Sequence, residues 1–173
     1  MENFTNETID TSHLPQFEEV AFTSLHPQYF KIILIHLALA FTVAILGFVV
    51  FFVLEPELFY QRTALILGVT FPIIALLVVA FAVVGFKKTG FAFREHDVLY
   101  RSGVIATNTI VIPYNRVQHV ALHEGLISRS FGLATIEIFT AGGSSSDITI
   151  PGIKKAQAEN INQLLMGKIQ KQL

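Results

Sequence analysis

The sequence contains no cysteine, which excludes disulfide bonds, thiolate metal sites and cysteine nucleophiles. Only 14% of the 173 residues are charged, and the formal net charge of −1 gives no electrostatic basis for binding nucleic acid. A phosphate-binding loop, a dinucleotide-binding fingerprint and a nucleophile elbow are also absent. We therefore predict a non-enzymatic protein with no cofactor and no nucleic-acid partner.

The six histidines are scattered along the chain. His119 and His123 are the closest approach to a metal-ligating pair, and their surroundings alternate as in a β-strand. On a strand, residues four apart stand about 13 Å from each other, which is too far to chelate one ion. The sequence thus predicts no metal site.

Charged residues are missing altogether from two long apolar runs, residues 32–54 and 63–86. About 20 apolar residues are enough to cross the hydrocarbon core of a bilayer as a helix. Together with a mean hydropathy of +0.57, the runs predict a transmembrane hairpin over residues 31–88. His36 is the only ionisable residue inside either run; a neutral, hydrogen-bonded or snorkelling histidine is favoured there over a proton relay.

Basic residues flank the hairpin on one side only. Lys31 precedes the first run, and Lys87 and Lys88 follow the second, while the connecting loop carries one base and two acids. By the positive-inside rule both termini are predicted to be cytoplasmic.

Residues 1–30 form an acidic tail, predicted to be cytoplasmic. Its first 16 residues are polar and rich in Asn and Thr, which is typical of disorder. From Phe17, apolar residues recur at helical spacing beside Glu18 and Glu19. Either a short interfacial helix or a segment folded against the cytoplasmic domain fits this pattern, and the acidic face favours the second. If the acidic tail docks on the basic domain, it would regulate the binding of a partner protein, the first of the functions considered below.

Residues 89–173 are predicted to form one cytoplasmic domain. Short alternating segments separated by Gly, Pro and Asn predict six or seven antiparallel strands in a small barrel or sandwich. From Lys154 the period changes to that of an amphipathic helix, which we expect to cover the open end of the β structure. The predicted strands lie near residues 91–93, 98–101, 109–113, 117–123, 135–141 and 147–150, and the apolar stripe of the helix is Ala158, Ile161, Leu164, Leu165 and Ile169.

Strands followed by one C-terminal helix are the order of a pleckstrin-homology (PH)-like domain. The sequence resembles the bacterial PH-like family of YdbS-type membrane proteins, in which a two-span hairpin precedes one such domain. Three stretches carry the resemblance: 99–103 (LYRSG), 112–120 (IPYNRVQHV) and 125–143 (GLISRSFGLATIEIFTAGG). The resemblance implies an α+β membrane protein of a bacterial inner or plasma membrane. It also permits a role in envelope stress or peptide resistance.

The third stretch has a physical interpretation of its own. Leu126 and Phe131 are expected to be buried from a short turn between strands, and Gly132 to end that turn with a positive φ. Ile136, Ile138 and Thr140 are expected to share one strand face.

Three functions remain open at this point. The first is a membrane-anchored module that binds a protein, either of the same family or a second copy, through a candidate surface containing Arg101, Arg116, Gln118 and Arg129. The second is binding of anionic lipid headgroups. The third is an accessory subunit of a membrane transporter or enzyme. The candidate lipid-facing bases are Lys87, Lys88, Arg94, Lys154 and Lys155.

Overall fold

The computed structural model describes residues 8, 10, 19–54, 61–143 and 146–170. The predicted disorder falls on residues 1–16, all of which except residues 8 and 10 lie outside the described residues, as does most of the loop predicted between the spans. In chain order the elements are β1 (Thr23–Ser24), α1 (Pro27–Leu54), α2 (Gln61–Lys88), β2 (Gly90–Phe93), β3 (Asp97–Ser102), β4 (Asn108–Pro113), a 3₁₀ turn (Tyr114–Arg116), β5 (Val117–His123), α3 (Leu126–Ser130), β6 (Leu133–Thr140), β7 (Ile148–Lys154) and α4 (Lys155–Gln170).

The helices α1 and α2 form the hairpin that the two apolar runs predict. Each has 28 residues, and each is long and apolar enough to cross a membrane, with none of its most apolar window buried in the protein. Ring contacts join them along their length, between Phe30 and Phe86 (5.3 Å between ring centres) and between Phe41 and Phe71 (5.9 Å). His36 Nδ1 lies 2.8 Å from the carbonyl oxygen of Ile32, one turn earlier in its own helix. This histidine is therefore hydrogen-bonded within α1.

The β domain consists of two antiparallel sheets that do not close into a barrel. Sheet A has the strand order β1-β2-β3-β4, and sheet B has the order β5-β6-β7. The architecture is the PH-like α+β fold expected from the sequence, in its sandwich form. Because β4 ends sheet A and β5 begins sheet B, the 3₁₀ turn between them is the corner of the sandwich.

The segment before α1 belongs to the β domain. Thr23 and Ser24 pair with Phe91 and Gly90 of β2, and Leu25 is buried in the core. Of the two alternatives for the residues after Phe17, the described part of the chain therefore shows a segment folded against the domain. The helical spacing does not produce a helix at residues 23–24, because the sheet edge offers backbone hydrogen bonds there.

The core lies between the two sheets and α4. Ile136 and Ile138 of β6 are 0% exposed, and Thr140 on the same face is 6% exposed, so the predicted face of this strand is confirmed. On α4, Ala158 and Leu165 are fully buried, but Leu164 is 47% exposed. The predicted stripe was thus one residue too wide, because two consecutive helical positions differ by about 100° around the helix axis.

The connection between β5 and β6 differs from the expectation. It contains the single-turn helix α3, and Leu126 at its start is 90% exposed, so the predicted burial of Leu126 is wrong. Phe131 is half-buried. Gly132 has φ +64°, which confirms the predicted positive φ.

Two joints fix the domain to the helices. On the side of α1, the Gly152 carbonyl accepts a hydrogen bond from the His26 amide at 2.9 Å, and Gly152 lies directly against Tyr29. On the side of α2, Lys88 Nζ donates to the carbonyl oxygen of Val104 at 2.8 Å. The end of the domain that carries these joints is called the helix-proximal end below, and the opposite end the distal end.

Candidate functional site

The strongest candidate for a binding site is the free edge of β4. β4 pairs with β3 and, among the described residues, with no other strand. Alternate residues of such an edge direct their N–H and C=O groups away from the sheet. An exposed edge of this kind is a template for pairing with an extended segment of another chain.

A groove of ≈ 340 Å³ runs beside this edge, between the end of β4 and the end of β6. Its wall is apolar because β4 carries apolar residues on both faces: Ile112 is 4% exposed and enters the core, whereas Val111 is 41% exposed. The polar groups that line the groove come from Arg116, Thr140 and Ser146.

Hydrogen bonds hold the polar side of the groove in place. The Thr140 amide donates to Asp147 Oδ1 at 2.8 Å, and the hydroxyls of Thr140 and Ser146 are 2.5 Å apart. The Ala141 amide donates to the carbonyl oxygen of Arg116 at 3.0 Å. These bonds tie the corner of sheet A to the end of sheet B, so that the groove has a defined shape before any ligand enters.

The guanidinium of Arg116 is exposed at this groove. Within the described residues it takes part in no ion pair, and the nearby Asp147 already accepts the Thr140 amide. A planar guanidinium with unused donors is suited to a carboxylate. The site therefore combines a strand edge, an apolar wall and one available positive charge.

The four residues of the candidate interaction surface are not brought together. Arg116 and Gln118 lie at the distal end of sheet B, with Gln118 at the irregularity of the β5–β6 pairing. Arg129 lies in α3 at the other end of β5, and the seven residues of β5 alone span about 20 Å from Val117 to His123. Arg101 is in sheet A, with its guanidinium carbon 4.2 Å from the ring centre of Phe22.

The candidate lipid-facing bases are also divided. Lys87 and Lys88, together with Arg101, line a shallow cavity of ≈ 280 Å³ at the helix-proximal end. Lys154 ends β7 and Lys155 begins α4 at the same end of the domain, where Lys155 Nζ is 2.8 Å from Glu124 Oε1. That hydrogen bond and the charge of Glu124 raise the pKa of Lys155.

Arg94 lies apart from the other bases. It sits in the β2–β3 turn at the distal end, where it forms a two-bond ion pair with Asp97 at 2.6 and 2.5 Å. The hydrogen bond to Asp97 raises the pKa of Arg94. The buried Tyr114 donates its hydroxyl to the Arg94 carbonyl at 2.7 Å, so this group stabilises the corner of the sandwich and does not face the helices.

The two strand histidines are engaged in cross-strand contacts. His119 stacks on Phe139 with 4.1 Å between ring centres, and His123 Nε2 is 3.1 Å from Glu137 Oε2. Over the residues that the structure describes, no group of three His, Cys, Asp or Glu side chains is arranged to hold a metal ion.

Sequence reasoning identified Arg116 but missed Val111, Thr140 and Ser146. One local signal was available: β4 reads Ile-Val-Ile without the polar alternation of a strand with one solvated face. An apolar outward residue breaks the usual alternation of apolar inward and polar outward residues, so it marks a position at which to look for a contact.

The sequence from residue 20 to residue 169 matches the model of the bacterial PH domain. This chain belongs to the bacterial PH domain family. The match includes β1, both long helices and the whole β domain, so the bacterial PH domain region begins before the hairpin and continues after it.

One relative of this bacterial PH domain protein is the transmembrane protein YdbS of Bacillus subtilis (strain 168), which is 29% identical over 75 residues. The alignment covers 43% of this chain and 45% of that relative, so the similarity extends over less than half the length of the relative. No solved structure matches the chain. The chain is therefore a bacterial PH domain protein with two candidate membrane helices and with similarity to a transmembrane relative over part of its length.

Proposed function

We propose that this protein is a non-enzymatic, membrane-anchored module that binds a partner protein through the free edge of β4. The single observation that carries the proposal is the unpaired edge beside a preformed groove with an available arginine. The partner supplies an extended segment that adds to sheet A, with an apolar side chain against Val111 and a carboxylate facing Arg116.

The hairpin supports this role by holding the domain at a membrane. Lys31, Lys87 and Lys88 favour a cytoplasmic location for both termini, and we propose the cytoplasmic face of a bacterial cell membrane as the place of binding. The groove lies at the distal end of the domain, away from the helices, where a segment of a second membrane protein or of a second copy of this chain can reach it.

Binding of anionic headgroups is less well supported by the geometry. The bases are spread over α2, β7, the start of α4 and the β2–β3 turn. Arg94 is paired with Asp97 at the distal end, and Lys155 is paired with Glu124. Each base near an anionic surface contributes only about 1 kcal/mol, which adds little to a chain already anchored by two helices.

Site-specific photocrosslinking tests the proposal. A photoreactive amino acid at position 111, on the groove, is expected to crosslink in native membranes to a discrete protein, identified by mass spectrometry. The same amino acid at position 166, an exposed residue of α4, is the matched control and is expected to give no such product.

Charge substitutions supply the second half of the test. With the photoreactive amino acid kept at position 111, Arg116→Glu is expected to reduce recovery of the crosslinked partner at least about tenfold, equivalent to 1.4 kcal/mol of binding free energy. Met166→Lys is expected to leave recovery unchanged. Equal recovery from all variants would contradict binding at the β4 edge, and recovery of lipid alone would favour the headgroup alternative.

The regulatory role of the acidic tail can be tested in the same experiment. A version that lacks residues 1–18 retains β1 and Leu25, whereas a deletion to residue 25 would remove a strand and a core residue. Stronger crosslinking without residues 1–18 would support docking of the tail on the groove.

A further inference from the structure

Two large apolar side chains are almost fully exposed at the helix-proximal end of the domain. Ile105, in the turn between β3 and β4, is 88% exposed, and Leu126, at the start of α3, is 90% exposed. The β domain has other exposed apolar residues, but Val111, Leu164 and Met166 are between 41% and 47% exposed. A single exposed apolar residue is ordinary on a protein surface. These two are distinguished by their almost complete exposure and by their position at the end of the domain that carries the two candidate membrane helices.

The turn that carries Ile105 lies alongside α2. A Cβ on Gly85 would come within 3.2 Å of Val104 Cγ2, and Lys88 Nζ donates to the Val104 carbonyl. Gly85 precedes Lys88 by three residues, or about 4.5 Å along the helix axis. The Val104 side chain is therefore level with the apolar part of α2, beyond Lys87 and Lys88.

The helix that carries Leu126 lies on the other side of the hairpin, against α1. It is held there through sheet B: the Lys155 amide donates to the Gly132 carbonyl at 3.0 Å, and Gly152 of β7 lies against Tyr29 of α1. Ile105 and Leu126 thus flank the hairpin, one beside each helix.

Basic side chains surround both positions. Lys87, Lys88 and Arg101 lie on the side of Ile105, and the exposed Arg129 and Lys154 lie on the side of Leu126. An apolar side chain with basic neighbours is the composition of segments that insert shallowly into a bilayer, because the bases reach the headgroups while the apolar group enters the acyl boundary.

We propose that Ile105 and Leu126 insert into the leaflet that the two helices enter. These two contacts, called the two-point seat below, hold the domain against the bilayer. The occupant is the lipid of the membrane that this chain spans, because both positions adjoin the helices. The seat does not depend on the binding of a protein at the β4 edge. It holds the groove at the distal end, directed away from the bilayer.

Fluorescence quenching by lipid tests the seat directly, because the chain contains no tryptophan. Three single-tryptophan variants of the full chain are placed in nanodiscs of phosphatidylethanolamine and phosphatidylglycerol: Ile105→Trp, Leu126→Trp and, as the matched control at the distal end, Met166→Trp. Half of each sample uses lipids brominated near the headgroup end of the acyl chain.

The expected result is a blue-shifted emission and a loss of intensity in brominated lipid at positions 105 and 126, with neither effect at position 166. The two-point seat would be overturned if the emission at position 105 or at position 126 were as red-shifted and as unquenched as the emission at position 166. A blue shift without quenching by brominated lipid would also overturn it, because the tryptophans at positions 105 and 126 would then be covered by protein and not by lipid. Folding is checked by circular dichroism of each variant in the same discs.

Discussion

Replacing Gly152 by alanine is expected to lower the free energy of unfolding of the domain by about 2–5 kcal/mol. Gly152 has φ +67°, and an added Cβ would lie 2.5 Å from Cγ and 2.6 Å from Cβ of Tyr29. Rotation of the Tyr29 side chain can move Cγ but not Cβ, whose position is set by the backbone of α1, so a change of rotamer does not relieve the clash. The variant combines backbone strain with a clash at the joint between β7 and the first long helix.

Gly132→Ala is the matched control for this variant. Gly132 has nearly the same φ, +64°, but an added Cβ would meet nothing within 4 Å. Its cost is expected to be the backbone strain alone, about 1–2 kcal/mol. Denaturant unfolding in detergent, followed by the circular dichroism of the β domain, measures both values. Equal losses in the two variants would contradict the expected clash between the added Cβ and Tyr29.

Truncation of Leu165 to alanine is the second change with a large expected effect, about 2–5 kcal/mol. Leu165 is 0% exposed and joins α4 to the core shared with β6 and β7. The loss combines the transfer of the buried side chain with the cavity left under the helix.

The neighbouring Leu164 provides the control within the same helix. It is 47% exposed, and Leu164→Ala changes helix propensity by the same amount as Leu165→Ala, so the difference between the two variants isolates burial. We expect Leu164→Ala to remain within about 0.5 kcal/mol of the unaltered protein. A loss at Leu164 as large as that at Leu165 would contradict the placement of α4 and restore the wider stripe that the sequence predicts.

The candidate site shows how far local sequence patterns reach. Arg116 was identifiable because it follows a strand and a turn in a distinctive stretch. Its grouping with Arg101 and Arg129 was not, because the distance between residues on different strands depends on strand order. Thr140 and Ser146 complete the groove from 24 and 30 residues further along the chain, and no periodicity relates positions so far apart.

The sequence by itself determined most of the elements, but not β1 or α3. Uncharged apolar runs predict the two long helices, period-two alternation predicts the strands of the β domain, and a helical stripe predicts α4, because each pattern expresses the geometry of one segment against one environment. The tertiary structure alone decided how the segments pair: β1 pairs with β2, although both long helices lie between them in the sequence, and β4 becomes a free edge. It also decided that Leu126 is exposed and that Gly152 contacts Tyr29. These features depend on contacts between distant parts of the chain, where packing and backbone hydrogen bonding outweigh local preference.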